Sequence, residues 1–268
     1  MAAKKKEAKP ISAIAAAVMI VIAFLAMGVF LVYMFSSGEG GVESSIDTSL
    51  EQSFGAESSI APPVSEIEVK ETMADAEVGD GVIFGSYEQN GNTADGSEPL
   101  EWIVLEKQSD KLLLISRYCV DTLPYNTERA DTEWAESSLH TFLNSDFCNQ
   151  AFTAEELSEI IGESKVTMLS AEEAVKYYEY DSWRMAEATK YAVSKGARIE
   201  NGSCWWWLTD KGSIENSASY IHFDGTIRSA GFSVDYGAVA VRPVIWVSSE
   251  AETETEEISE PASEEVSE

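Results

Sequence analysis

The chain predicts an α+β domain over residues 79–248, set behind one N-terminal transmembrane helix and bounded by disordered acidic segments. Three observations carry this. Apolar periodicity over 79–248 is strand-like, then helix-like, then strand-like again, the order of a fold whose helices are segregated from an antiparallel sheet. Residues 11–35 hold no charged side chain. The formal net charge of −29 is unevenly spread: +3 over residues 1–35, −9 over 36–78, −14 over 79–248 and −9 over 249–268.

Lys4, Lys5, Lys6 and Lys9 make residues 1–10 a basic cytoplasmic segment under the positive-inside rule, so everything after residue 35 is expected outside the cytoplasm. As a helix, Ile11–Phe35 would reach roughly 37 Å at about 1.5 Å per residue, enough to cross a hydrocarbon core of about 30 Å with some tilt. Tyr33 suits the outer interface. A cleaved signal peptide is the rival reading. Ala26-Met27-Gly28 loosely resembles a cleavage site, but the apolar run continues through Val29-Phe30-Leu31-Val32. The expected partner of residues 11–35 is therefore the cell membrane.

Residues 36–78 are rich in Ser, Glu, Gly and Ala, with Pro62-Pro63 near the middle and no sustained apolar period. Such a segment cannot bury enough apolar surface to offset its ordering entropy, and it reads as a disordered acidic stalk. Ser249–Glu268 reads as a disordered, solvating acidic tail. The net charge argues against a nucleic-acid partner, because phosphate recognition needs a basic surface.

Within 79–248, residues 82–87 and 100–105 read as strands around a turn-rich 88–99, and 112–115 as a third strand. Trp134, Ser138, Leu139, Phe142 and Leu143 recur at helical spacing, with Asp131 or Thr132 as N-cap. Thr153-Ala154-Glu155-Glu156 and Ser170-Ala171-Glu172-Glu173 are capping-box patterns, the first opening a short helix through Ile161. Residues 183–195 read as a helix closed by Gly196. Residues 204–208, 219–223, 226–228 and 239–247 read as strands, with Asp224-Gly225 as a hairpin turn.

The blocks Cys204-Trp205-Trp206-Trp207-Leu208, Ala218-Ser219-Tyr220-Ile221 through Asp224-Gly225-Thr226-Ile227, and Val241-Arg242-Pro243-Val244-Ile245-Trp246 resemble an uncharacterised bacterial surface-domain family. Phe84-Gly85-Ser86-Tyr87 and Glu101-Trp102-Ile103-Val104-Leu105 agree with it. That family resembles the C-type lectin fold, also used by formylglycine-generating enzymes. The resemblance implies a C-type-lectin-like domain over 79–248, and no function by itself. Where the family often continues the triple Trp with Leu-Arg-Ser-Pro-Gly, this chain has Leu208-Thr209-Asp210-Lys211-Gly212.

Chemistry is sparse. Cys119, Cys148 and Cys204 match no metal spacing and allow at most one internal disulfide. Only Cys204 lies where formylglycine generators carry a cysteine pair, so that activity is not supported. His222 and Asp224 share a strand face, but no Gly-x-Ser-x-Gly elbow completes a triad. Asn90, Asn92 and Asp95 match a calcium loop weakly and read as a polar hairpin. No catalytic set, metal site or cofactor is expected.

The candidate ligand site is aromatic. Trp205, Trp206 and Trp207 are consecutive, so on a strand Trp206 faces opposite to its neighbours. One face joins the core. The other either joins the core too or forms a stacking platform with Tyr220, Arg228 and Trp246. The expected function is a membrane-anchored, extracytoplasmic binding or sensing module for cell-envelope glycan, peptide or protein. A protein-modifying enzyme and a structural envelope protein are the alternatives.

Overall fold

Val82, Phe84, Trp102, Val104, Leu112 and Leu114 alternate along three chain segments, so one pleat face of each is apolar and buries together. A computed structural model, which describes residues 67–251, places these segments in β1 (Gly81–Tyr87), β2 (Glu98–Lys107) and β3 (Lys111–Ser116). They pair as the antiparallel meander expected from the sequence. The interleaved Ile103, Leu105, Leu113 and Ile115 bury on the opposite face. The sheet is therefore covered on both sides. The expected anchor at 11–35 lies outside the described residues. Among the described residues, no helix is long and apolar enough to cross a membrane.

A short two-residue strand, β4 (Asp121–Thr122), leads into the helical part. The first helix starts later than its expected N-cap at Asp131 or Thr132. A 3-10 turn over Trp134–Glu136 comes first. The Ser137 hydroxyl then accepts from the His140 amide and caps α1 (Ser138–Phe142). That helix continues through a π turn (Leu143–Phe147) into α2 (Cys148–Ala151). Both capping boxes form, opening α3 (Ala154–Glu159) and α4 (Ala171–Tyr177). Glu156 also reaches beyond its own helix. Its Oε1 accepts from the Gly85 amide at 2.9 Å, pinning α3 to the bulge of β1. Ile160 and Ile161, expected at the end of the helix, form β5 (Ile160–Ile161) against the C-terminal strand.

The helix expected over 183–195 is broken. Asp181–Arg184 is a 3-10 turn, and only α5 (Lys190–Ser194) is α-helical, capped by Thr189 and ended by Gly196 at φ 103°. Residues 186–189 between them are drawn into strand-like bonding from two sides. The Cys119 amide donates to the Glu187 carbonyl at 2.9 Å, and the Cys204 amide donates to the Ala186 carbonyl at 2.8 Å. Two partners of distant sequence outweigh local helical periodicity here.

The remaining strands are β6 (Ile199–Glu200), β7 (Ser203–Cys204), β8 (Trp206–Lys211), β9 (Ser217–Ile221), β10 (Ile227–Ser233), β11 (Ala240–Val241) and β12 (Val244–Ser248). They make one sheet of order β1-β2-β3-β12-β5, a second of order β10-β9-β8-β11-β4 and the small β6-β7 ribbon. The strand expected over 204–208 breaks at Trp205, and that over 239–247 breaks at Arg242-Pro243. Proline supplies no ladder donor. The break hands the chain from the second sheet to the first, so the two read as one curled surface.

Two expected boundaries move. Residues 67–78, assigned to the stalk, belong to the domain. Val69 bridges Gly81, while Met73 and Ala76 lie fully buried in the core. At the other end Ala251 is buried and the Ser249 amide donates to the Asp110 carbonyl, so residues 249–251, expected in the tail, pack with the domain. Short apolar contacts within an acidic, aperiodic stretch leave no pattern to read.

Candidate functional site

The triple Trp has the parity of a strand. Trp205 and Trp207 enter one core cluster and Trp206 the other. All three are buried, at 5%, 0% and 0% exposure, so none is by itself a solvent-facing platform. Trp207 Nε1 donates to the Leu123 carbonyl and Trp206 Nε1 to the Arg184 carbonyl. Trp205 Nε1 is buried with no hydrogen-bond partner.

Trp205 differs from its neighbours in where it sits. It lies at the rim of the second sheet, between a cation and an aromatic ring. The Arg198 guanidinium stands 4.0 Å above its ring, and Tyr220 stacks on it at 4.9 Å with an interplanar angle of 23°. His222 tilts against the same indole at 4.9 Å, and Phe232 meets it edge-on at 5.6 Å. Tyr236 extends the cluster through Phe232 at 4.7 Å. Antiparallel register places Arg228 of β10 directly opposite Tyr220 of β9. His222, Phe232 and Tyr236 are partly exposed, and Arg198 and Arg228 are exposed. The result is an aromatic ledge on the edge hairpin, floored by Trp205 and Tyr220 and rimmed by two guanidiniums.

The hairpin is held from below. Gly225 adopts φ 79° beside the Asp181 carbonyl oxygen, which lies 1.6 Å from where a Cβ would sit, so only glycine fits. Buried Arg184 donates from Nε to the Gly225 carbonyl at 2.9 Å and also pairs with Asp181. Asp224 Oδ1 accepts from the Thr226 hydroxyl at 2.6 Å and the Thr226 amide at 3.1 Å, and it lies 3.0 Å from His222 Nδ1. The Thr226 hydroxyl, first, and then its amide and His222 hold the Asp224 carboxyl well below the usual carboxylate range. Burial pushes the Tyr220 phenol up, opposed by the Arg228 and Arg198 charges.

Of the residues singled out from sequence, Trp205, Tyr220 and Arg228 come together, and Trp207 backs them from the core at 6.3 Å from Tyr220. Trp206 does not join them. It faces the other core beneath the buried Arg242 guanidinium at 5.2 Å. Trp246 lies in the first sheet, opposite Leu113 and Ile161, under the Lys111 ammonium at 4.6 Å. Arg198, Phe232 and Tyr236 were missed. Asn201-Gly202, with φ 52° and 85°, is the turn that folds Arg198 back over Trp205, and this Asn-Gly pair is a readable hairpin signal. Extending the β10 strand past Arg228 would have found Phe232 on the same face.

Elsewhere the chemistry is quiet. Cys119, Cys148 and Cys204 are free and buried. Contact with the Cys119 thiol, and then burial, push the Cys204 thiol well up, the reverse of an activated nucleophile. In the 88–98 loop, Glu98 accepts from the Gln89 amide and Asp95 from the Asn92 amide group, so these carboxylates close the hairpin. Among the described residues no cluster of three or more His, Cys, Asp and Glu could hold a metal ion.

A family described as a domain of unknown function (DUF6273) is found at residues 109–176. The matched stretch runs from the turn before β3 to within α4, and it leaves out the triple Trp and the β9–β10 hairpin. No curated protein and no solved structure matches the chain.

Proposed function

We propose that the chain is a membrane-anchored, extracytoplasmic binding module whose lectin-like domain engages cell-envelope glycan on the β9–β10 ledge. The observation that carries this is the set of partly exposed rings of His222, Phe232 and Tyr236, held beside the Arg198–Trp205–Tyr220 stack, whose two rings are buried. Flat aromatic faces ringed by hydrogen-bonding side chains suit the apolar face and hydroxyl edge of a sugar ring. The charge-free run at 11–35 and its basic flank support anchoring with the domain outside. The order strands, helices, strands supports the lectin-like reading of the fold.

The test is an array of envelope oligosaccharides probed with the full chain in detergent micelles. Binding is expected, and Phe232→Ala is expected to weaken it about tenfold while near-UV circular dichroism stays native. Binding that is indifferent to Phe232→Ala removes the ledge from the account. A second reading, an envelope protein whose domain is a spacer, draws on the burial of all three of Trp205, Trp206 and Trp207. Absence of any array signal would favour it.

A further inference from the structure

We infer that Cys119 and Cys204 are the pair that closes as a disulfide when the chain folds under oxidising conditions, with Cys148 left as the free thiol. Glycan binding plays no part in this. Only the oxidant rests on the reading above, which places the domain outside the cytoplasm, where disulfides form and persist. The form described so far is the dithiol.

Backbone pairing brings the two cysteines together. Four short segments, 119–122, 186–189, 204–206 and 240–241, bond in a closed ring. The Cys119 amide donates to the Glu187 carbonyl, and the Thr189 amide to the Cys119 carbonyl. On that same segment the Ala186 carbonyl accepts from the Cys204 amide. On the other flank the Val120 amide donates to the Val241 carbonyl, and the Ala240 amide to the Trp205 carbonyl. Successive residues of a strand aim their amides to opposite sides. Residues 119–122 and 204–206 therefore sit between the same two neighbours and face each other across the ring.

The inner face of the ring is made of small side chains. Cys119, Ala186, Cys204 and Ala240 enter one core cluster. Val120, Trp205 and Val241, one residue on, enter the other, and Glu187 is exposed. With neighbouring segments about 4.8 Å apart, opposite members of such a ring lie roughly 6–7 Å apart, the upper part of the Cα separation a disulfide spans. The two thiols are in contact, and Cys204 Sγ also lies 3.3 Å from the Ala186 carbonyl oxygen. Cys148 is buried in the other cluster. The loop that the bond closes holds all five helices, and closing a long loop removes much entropy from the unfolded chain.

The oxidant is a small disulfide such as oxidised glutathione. One thiol of the pair loses its proton and attacks it, forming a mixed disulfide and releasing one small thiolate. The second thiol loses its proton and attacks the protein sulfur of that mixed disulfide. The Cys119–Cys204 bond forms, a second small thiolate leaves, and the two protons end on the two released thiols. Both cysteines are buried once folded, so the exchange belongs to the folding chain.

The full chain in detergent micelles is unfolded and reduced in urea, then refolded either in mixed reduced and oxidised glutathione or in dithiothreitol. Remaining thiols are alkylated after a second unfolding, and peptides are mapped by mass spectrometry. The glutathione sample is expected to lack two hydrogens, to join the peptides of Cys119 and Cys204, and to be alkylated on Cys148 alone. Cys148→Ser should keep the link and Cys204→Ala should lose it. The linked chain should unfold at a higher urea midpoint than the dithiol. Absence of the link in both the natural sequence and Cys148→Ser, with native near-UV circular dichroism, overturns the proposal. So does a link that includes Cys148, or one that lowers the urea midpoint. The buffer supplies the oxidant, so these outcomes are decided separately from glycan binding and from where the domain resides.

Discussion

A Cβ added at Gly85 would lie 2.5 Å from the Ala151 carbonyl oxygen and 2.6 Å from the Phe152 ring, on a backbone at φ 68°. Both strain and overlap follow, so Gly85→Ala should cost roughly 2–4 kcal/mol, measured by urea unfolding. Part of that cost is the Gly85 amide's bond to Glu156, which a shifted bulge would stretch. At this scale the sequence was legible in parity and silent in direction. Consecutive Trp205, Trp206 and Trp207 had to alternate, and they do. Which side meets core and which reaches a rim depends on what packs there. Arg198 reaches Trp205 only because the Asn201-Gly202 turn folds β6 onto β7.

Among elements, α4 is tied to β2 by one carboxylate. Glu106 of β2 accepts from Lys176 Nζ and from the Tyr177 hydroxyl, each at 2.7 Å. Lys176, first, then Tyr177 and Gln108 hold the Glu106 carboxyl down at about 2. The unfolded value is near 4.3, so the folded state binds its proton later as pH falls. The stability linked to Glu106 is therefore fully present above the unfolded value and is lost as pH drops from about 4.3 through 2. Glu106→Gln should flatten that part of a pH–stability curve, while costing under about 1 kcal/mol at neutral pH because Lys176 is largely exposed. Urea midpoints across pH 2–7 would check it. Elements with local signatures were readable: the two capping boxes stand where Thr153 and Ser170 place them. The expected helix over 183–195 was not, because its middle is claimed by amides of Cys119 and Cys204. Such partners, distant in sequence, leave no trace in a window of helical period.

For the molecule as a whole, both core clusters draw on the same strands, β2, β3 and β8 among them, so neither can open without exposing the other. A single cooperative transition is expected. The buried thiols Cys119, Cys148 and Cys204 should stay unreactive to iodoacetamide in the folded chain and become reactive together across that transition. The packing of 67–78 makes a second expectation. A fragment starting at residue 79 should be less stable than one starting at 67 by about 2 kcal/mol or more, the scale of the lost Met73 burial, as read from urea midpoints.

By itself the sequence determined the order of element types, the turn at Asp224-Gly225, the helix starts at Thr153 and Ser170, and the alternation of the tryptophans. Each is a matter of local period, capping or turn chemistry, written within a few residues. Only the tertiary structure decided that the domain begins by residue 67, that Trp206 and Trp246 stand apart from Trp205, and that Arg198, Tyr220, His222 and Arg228 meet at one edge. Those facts rest on long-range strand pairing and on the curl that carries the chain from one sheet to the other at Arg242-Pro243. Pairing partners are selected by burial over the whole chain, and a local pattern does not record which partner wins.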